Sequence, residues 1–95
     1  MAETNRQPPA IVSGLAQELG ISIRRFKLHL AQNVAFARRR AGLTQLQLAQ
    51  AAELSRATVH LIEAGLCDPR LSTITRLADA LHLDTMDLLT KQSTA

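Results

Sequence analysis

Little in this 95-residue chain is spaced for covalent chemistry. Its single cysteine, Cys67, has no histidine near it in sequence, and His29, His60 and His82 fall in three different predicted helices. No carboxylate pair, phosphate-cradling glycine loop or metal-ligand spacing is present. The expectation is therefore no enzyme, no cofactor and no metal. A lone cysteine forms no internal disulfide, and a reducing cytoplasm is its simplest setting. The residues that can do chemistry do it by recognition, and they gather in SRATVHLIEAG, Ser55 to Gly65. Val59 and Ile62 are spaced to face a core, which turns Arg56, Ala57, His60 and Leu61 the other way. The planar fork of Arg56 matches guanine O6 and N7, a pairing worth roughly 1–3 kcal/mol of discrimination between bases.

The elements that must hold these side chains lie between Thr44 and Gly65. Gln45 to Ala51 is rich in Leu, Gln and Ala, good helix formers, and Thr44 caps it. Ala52, Glu53 and Leu54 make a break. Ser55 caps a second short helix that runs to about Ala64, and Gly65 stops it in the left-handed conformation. Leu48, Ala49, Leu54, Val59 and Ile62 can share a core. Two short helices across a tight turn are an αα-hairpin at the least. They are also the helix-turn-helix arrangement, whose second helix enters the DNA major groove.

The residues match more than that pattern. TQxxLAxxAxLSxxTVxxIExG resembles the helix-turn-helix of the phage-repressor and Cro family of bacterial regulators, the XRE type. GLTQ (Gly42 to Gln45) and PRLSTITRLADAL (Pro69 to Leu81) extend the resemblance, which covers Leu30 to Leu89. It implies an all-α, five-helix, lambda-repressor-like domain, here with an extra N-terminal helix. It places Arg56, Ala57 and Leu61 at base-touching positions, with His60 beside them; Ala57 and Leu61 could meet a thymine methyl. Thr44 and Gln45 match a phosphate-binding position at a helix start, and Thr58 and Arg70 are further phosphate candidates. It also pairs Arg38 with Glu63 as a structural ion pair rather than as DNA ligands. Two departures stand out. The family usually has Gly where this chain has Glu53 and again where it has His82, so those two turns are expected to be shaped differently.

Composition agrees with this reading. Hydrophobic residues make up 46% and aromatics 2%, so the core must be built from Leu, Ile, Val and Ala, which suits helix packing. A net charge of +3 and a pI near 10.0 favour an acidic partner without identifying it. No signal-peptide pattern opens the chain and no apolar run is long enough to span a bilayer. Residues 1–9 read as a disordered tail and 10–29 as an N-terminal helical extension. Residues 30–90 read as the DNA-binding domain and 91–95 as a tail. Within the extension, residues 10–19 are expected to form a short helix with Ile11, Leu15 and Leu19 on one face, and Ser22 is expected to cap a long helix over residues 23–41. Phe26, Leu30, Val34, Ala37 and Ala41 make its apolar stripe. LAQELGISIRRFKLHL, from Leu15, echoes LAQAAELSRATVHLIE, from Leu48, but too little chain precedes it for a second helix-turn-helix. Ser72 is expected to cap the fourth helix of the domain and Asp84 the fifth, with Asp87 completing a short capping box.

The function expected is sequence-specific binding of double-stranded DNA to regulate transcription, as a repressor or a related regulator, by a homodimer on a near-palindromic operator. Met86 and Leu89 on the last helix, with Phe36, are the candidate dimer residues; that helix is too short to bury three apolar side chains within its own domain. Alternative readings are a protein-interaction module or antitoxin whose main partner is a toxin or transcription-machinery protein, and the controller of a restriction–modification system.

Overall fold

The computed structural model describes residues 23–90. The expected tails over 1–9 and 91–95, the helix over 10–19 and the Ser22 cap lie outside the described residues. Within them the fold is all-α. Five helices follow in order: α1 (Ile23–Arg40), α2 (Gln45–Ala52), α3 (Arg56–Glu63), α4 (Leu71–Ala80) and α5 (Thr85–Leu89). The long α1 packs on α3 and α5; α2 packs on α3 and α4, and α4 on α5.

The four-residue spacing of Phe26, Leu30 and Val34 lines up one face of α1, and all three are fully buried. Leu48, Val59, Ile62, Ile74, Leu77 and Leu88 close on them from the other four helices. Ala49 and Ala78, both buried, are small where helices come close. The stripe of α1 fades sooner than its spacing implies. Ala37 is half-buried and Ala41, past the helix end, is exposed.

Four helices end in the same way. In each, an amide just past the helix reaches back five residues to a carbonyl near the helix end: Leu43 to Arg38, Leu54 to Ala49, Leu66 to Leu61 and Leu83 to Ala78, at 2.8 to 3.1 Å. This motif needs a left-handed residue just before that amide. Gly42 and Gly65 supply it at φ 73° and 72°. Glu53 and His82 supply it too, both at φ 59°. The expectation that these two turns would be shaped differently is therefore wrong. The hydrogen bonds, and the packing of Leu54 against the core, hold the turn after α2 in the left-handed form although its side chain costs about 1–2 kcal/mol there.

Three further expectations change. Ser72 does not cap α4. The helix starts earlier, at Leu71, with extended Arg70 as its cap residue and Arg70's carbonyl accepting the Thr73 and Ile74 amides. Pro69, just before the cap residue, is buried, and no side chain caps this helix. Asp84 does cap α5, and the Asp87 carboxylate accepts the Asp84 amide at 3.1 Å. Leu89, expected to stay free for a partner subunit, is only 3% exposed and belongs to the core of its own chain. The helix does leave one of its three apolar side chains outside, but that one is Met86, 54% exposed, and not Leu89, because α1 and α4 both pack against the helix on the side of the two leucines. The third change is Asn33, which the apolar stripe passed over. It is buried on α1, and its side-chain amide donates to the carbonyls of Leu88 (3.0 Å) and Thr90 (2.7 Å). Those are carbonyls that the end of α5 leaves without partners of its own, so one buried polar group satisfies the end of a five-residue helix.

Candidate nucleic-acid interface

Helix α3 is anchored along one side and at both ends. The Ser55 hydroxyl accepts the Thr58 amide at 3.0 Å, replacing one missing helical bond. Val59 and Ile62 sink into the core with at most 1% exposure. With 3.6 residues per turn, the remaining face must point outward. Arg56, Ala57 and His60 are exposed, and Leu61 is 40% exposed. All four expected base-reading side chains thus share one outward face. Arg56 occupies the first position of the helix, where the dipole disfavours a cation by about 0.3–1 kcal/mol. Among the described residues no hydrogen bond or ion pair of Arg56 offsets that cost.

The far end of α3 is fixed by charge. Arg38 on α1 meets Glu63 in a two-pronged pair, Nε to Oε2 at 2.7 Å and Nη2 to Oε1 at 3.0 Å. Nη1 of Arg38 donates to the Leu43 carbonyl at 2.8 Å. Both side chains are largely buried, 14% and 6% exposed. The hydrogen bond to Glu63 holds the Arg38 pKa above its ordinary value, with the charge of Glu63 adding to it and burial opposing. One guanidinium thereby ties α1, the α1–α2 loop and the end of α3 together.

The phosphate candidates differ in how free they are. Thr44 caps α2, its hydroxyl accepting the Gln47 amide at 3.0 Å while its own amide donates to the Gln47 side chain at 2.9 Å. This reciprocal capping box was legible in Thr-x-x-Gln, although Gln47 escaped notice in the sequence. The amides of Gln45 and Leu46 have no acceptor within the helix, as at any helix start, and can meet an anion. The Gln45 side chain is already committed, its amide donating to Glu63 at 3.1 Å. The half-buried Thr58 shares a 2.8 Å bond with the Ser55 hydroxyl. Arg70 is exposed at the start of α4.

The dimer candidates differ in exposure. Phe36 is 59% exposed on α1 and Met86 54% exposed on α5, while Leu89 is inside. Cys67 packs against the core edge, and burial pushes its thiol pKa up, outweighing the opposing pull of Lys27. A thiol so placed is less reactive than a free one. Among the described residues no cluster of His, Cys, Asp and Glu could hold a metal, and no helix is long and apolar enough to cross a membrane.

Comparison with known proteins agrees with this geometry. The profile of a helix-turn-helix domain matches residues 29–89. A hypothetical transcription factor, NHTF, from Neisseria superposes with a TM-score of 0.68 at 30% identity, over 70% of this chain and 76% of its own. The restriction-modification controller protein C.AhdI from Aeromonas hydrophila superposes at 0.64 with 31% identity, over 65% of this chain and 94% of its own. A transcriptional regulator of the HTH_3 family from Vibrio cholerae gives 0.66 at 26% identity, over 68% of this chain but 36% of its own. No curated protein sequence matches.

Proposed function

Because the chain belongs to the helix-turn-helix domain family, of the phage-repressor and Cro type, whose members are DNA-binding regulators of transcription, we propose that it reads a specific duplex sequence with the outward face of α3, as a homodimer. Arg56, Ala57, His60 and Leu61 touch base edges, with Arg56 on guanine. The amides at the start of α2, the Thr44 hydroxyl, Thr58 and Arg70 meet phosphates; Gln45 contributes its backbone amide, since its side chain serves Glu63. A two-fold axis sets two copies of α3 about 34 Å apart, so the operator is a near-palindrome with half-sites one turn apart. The absence of any disulfide partner for Cys67 fits a reducing cytoplasm. The kinship with a restriction-modification controller fits this reading as well as kinship with transcription regulators does, and does not displace it.

The observation that carries the proposal is the exposed Arg56 on the outward face of a helix braced along its other side and at both ends, at a helix start that disfavours a cation. Selection of bound duplexes from a randomised pool gives the operator, and Arg56→Ala tests the reading. Affinity for the operator is expected to fall by about 1–3 kcal/mol, with non-specific binding and its salt dependence little changed. Equal loss on operator and random duplexes would make Arg56 a phosphate contact, and no duplex binding at all by the wild type would sink the proposal.

A further inference from the structure

The positive excess of this chain is confined to one helix. Of 11 Lys and Arg set against 8 Asp and Glu, α1 holds Arg24, Arg25, Lys27, Arg38, Arg39 and Arg40 and no carboxylate. The rest of the chain is therefore net acidic. Arg38 is engaged inside the fold by Glu63. Arg39 and Arg40 are exposed. Among the described residues Arg39 has no hydrogen bond or ion pair, and Arg40 meets only the Phe36 ring, its guanidinium 5.7 Å from the ring centre. On a helix turning 100° per residue, Leu28, Gln32 and Phe36 make one ridge, about 80° to 160° round from Arg38, and Arg39 and Arg40 flank Phe36 within about 60°. Leu28 is 51% and Phe36 59% exposed, and they stand about 12 Å apart along the axis at 1.5 Å per residue. Beside Phe36 opens a groove of about 490 Å³ walled by Ala37, Leu81, Leu83 and Leu88. Arg38 is the residue that faces α3, so this face is turned away from the recognition helix.

We propose that this outer face of α1 docks an acidic amphipathic segment of another protein, with its carboxylates on Arg39 and Arg40 and one large apolar side chain in the groove beside Phe36. Such docking neither uses nor needs the duplex-reading face. Two independent features select this occupant. Guanidinium groups without partners take carboxylates through charge-assisted, two-pronged hydrogen bonds. Large apolar side chains bared on one helix face beside a hollow mark a protein contact, because an aromatic anchor and a pocket are what interface hot spots are built from. A duplex satisfies only the first feature: its phosphates neutralise the arginines and leave Leu28 and Phe36 without apolar partners. A second copy laid two-fold on this face satisfies only the second, since it brings two basic helices without carboxylates against each other, and like charges repel. An anionic bilayer lies across a ridge and does not enter a hollow between helices. A segment carrying both acids and apolar side chains answers both features at once.

Selection of a random displayed-peptide library on the immobilised full chain tests this. Enriched peptides are expected to combine Asp or Glu with Leu, Ile, Phe or Trp, and the tightest is titrated as a free labelled peptide. Phe36→Glu, and Arg39→Glu together with Arg40→Glu, are each expected to weaken it roughly tenfold or more with the thermal melt unchanged. A peptide whose acids are replaced by Lys is expected to lose the wild type and regain the double variant, a swap that damage to the fold cannot produce. Should Phe36→Glu fail to fold, the charge swap decides. Enrichment of no acidic and apolar peptide overturns the proposal, as does a peptide indifferent to both variants. Loss of a wild-type dimer in sedimentation of Phe36→Glu also overturns it, because the face then belongs to a second copy. So does a roughly tenfold loss of duplex binding in Arg39→Gln with Arg40→Gln, which makes both arginines phosphate contacts. Binding to vesicles of phosphatidylserine and phosphatidylcholine that Phe36→Glu abolishes assigns the face to lipid and overturns it too. A wild type that binds the peptide but no duplex refutes the DNA reading and leaves the docking face standing; one that binds duplex but no peptide does the reverse.

Discussion

The two short helices α3 and α5 are held by opposite means. The eight residues of α3 carry most of their own restraints: a Ser55 cap, two buried side chains and a terminal Glu63 that Arg38 grips. The five residues of α5 bury Leu88 and Leu89, and the end of the helix is finished by Asn33, a residue of α1. One helix is braced so that its other face stays rigid and bare. The other closes the bottom of the core and keeps Met86 outside. The difference teaches that burial of a short helix depends less on its length than on how many neighbours cover it.

Shortening Leu89 gives the sharpest break between the two. Leu89→Ala removes buried methylenes from a site packed by α1 and α4, and is expected to cost about 3 kcal/mol of stability in equilibrium urea unfolding. The dimer constant of the protein that remains folded should stay within about threefold of wild type, a change smaller than a single lost hot-spot contact. A dimer lost with stability intact would return Leu89 to the surface.

Removing the brace of α3 comes next. Glu63→Ala leaves Arg38 largely buried without its carboxylate and releases the Gln45 side chain, for an expected loss of about 3 kcal/mol or somewhat less. The paired change Arg38→Met with Glu63→Leu should recover most of it, since a buried ion pair is replaceable by apolar groups of similar volume. If Glu63→Ala unfolds no more easily than wild type, α3 is held by Val59 and Ile62 alone and the comparison loses its electrostatic half.

What could be read in the sequence divides along the same line. Thr44 to Gly65 was legible because its signals are local: caps next to the helices they start, a left-handed stop next to the helix it ends, and apolar residues at helical spacing. The Arg38–Glu63 pair came from family resemblance, since nothing in their separation brings them together. The role of Asn33 was hidden because its acceptors lie 55 and 57 residues on, and a lone Asn beside an apolar stripe reads as surface. The burial of Leu89 was hidden for the same reason, as it depends on α1 and α4. The start of α4 was missed because Ser72 is a good cap by residue type, while the helix starts two residues earlier on the Arg70 carbonyl, with no side-chain cap to mark it.

The smallest expected effect concerns the turns by which the two helices are entered. Both α3 and α5 follow a left-handed residue that is not glycine, Glu53 and His82, whereas α1 and α3 end on Gly42 and Gly65. The hydrogen bonding is the same in all four turns, so exchanging side chains isolates the backbone term. Gly65→Ala is expected to lose about 1–2 kcal/mol. A Cβ built there meets nothing within 4 Å, so crowding plays no part. Glu53→Gly and His82→Gly remove a strain of about 1–2 kcal/mol but free the unfolded chain by about 0.5–1 kcal/mol, for a net gain near 0.5 kcal/mol each. Urea midpoints of the three variants, at an unchanged denaturant slope, measure all of these. Should Glu53→Gly lose stability, the Glu53 side chain must contribute more in place than its left-handed backbone costs, and the entrance to α3 would then be held by a contact that the entrance to α5 lacks.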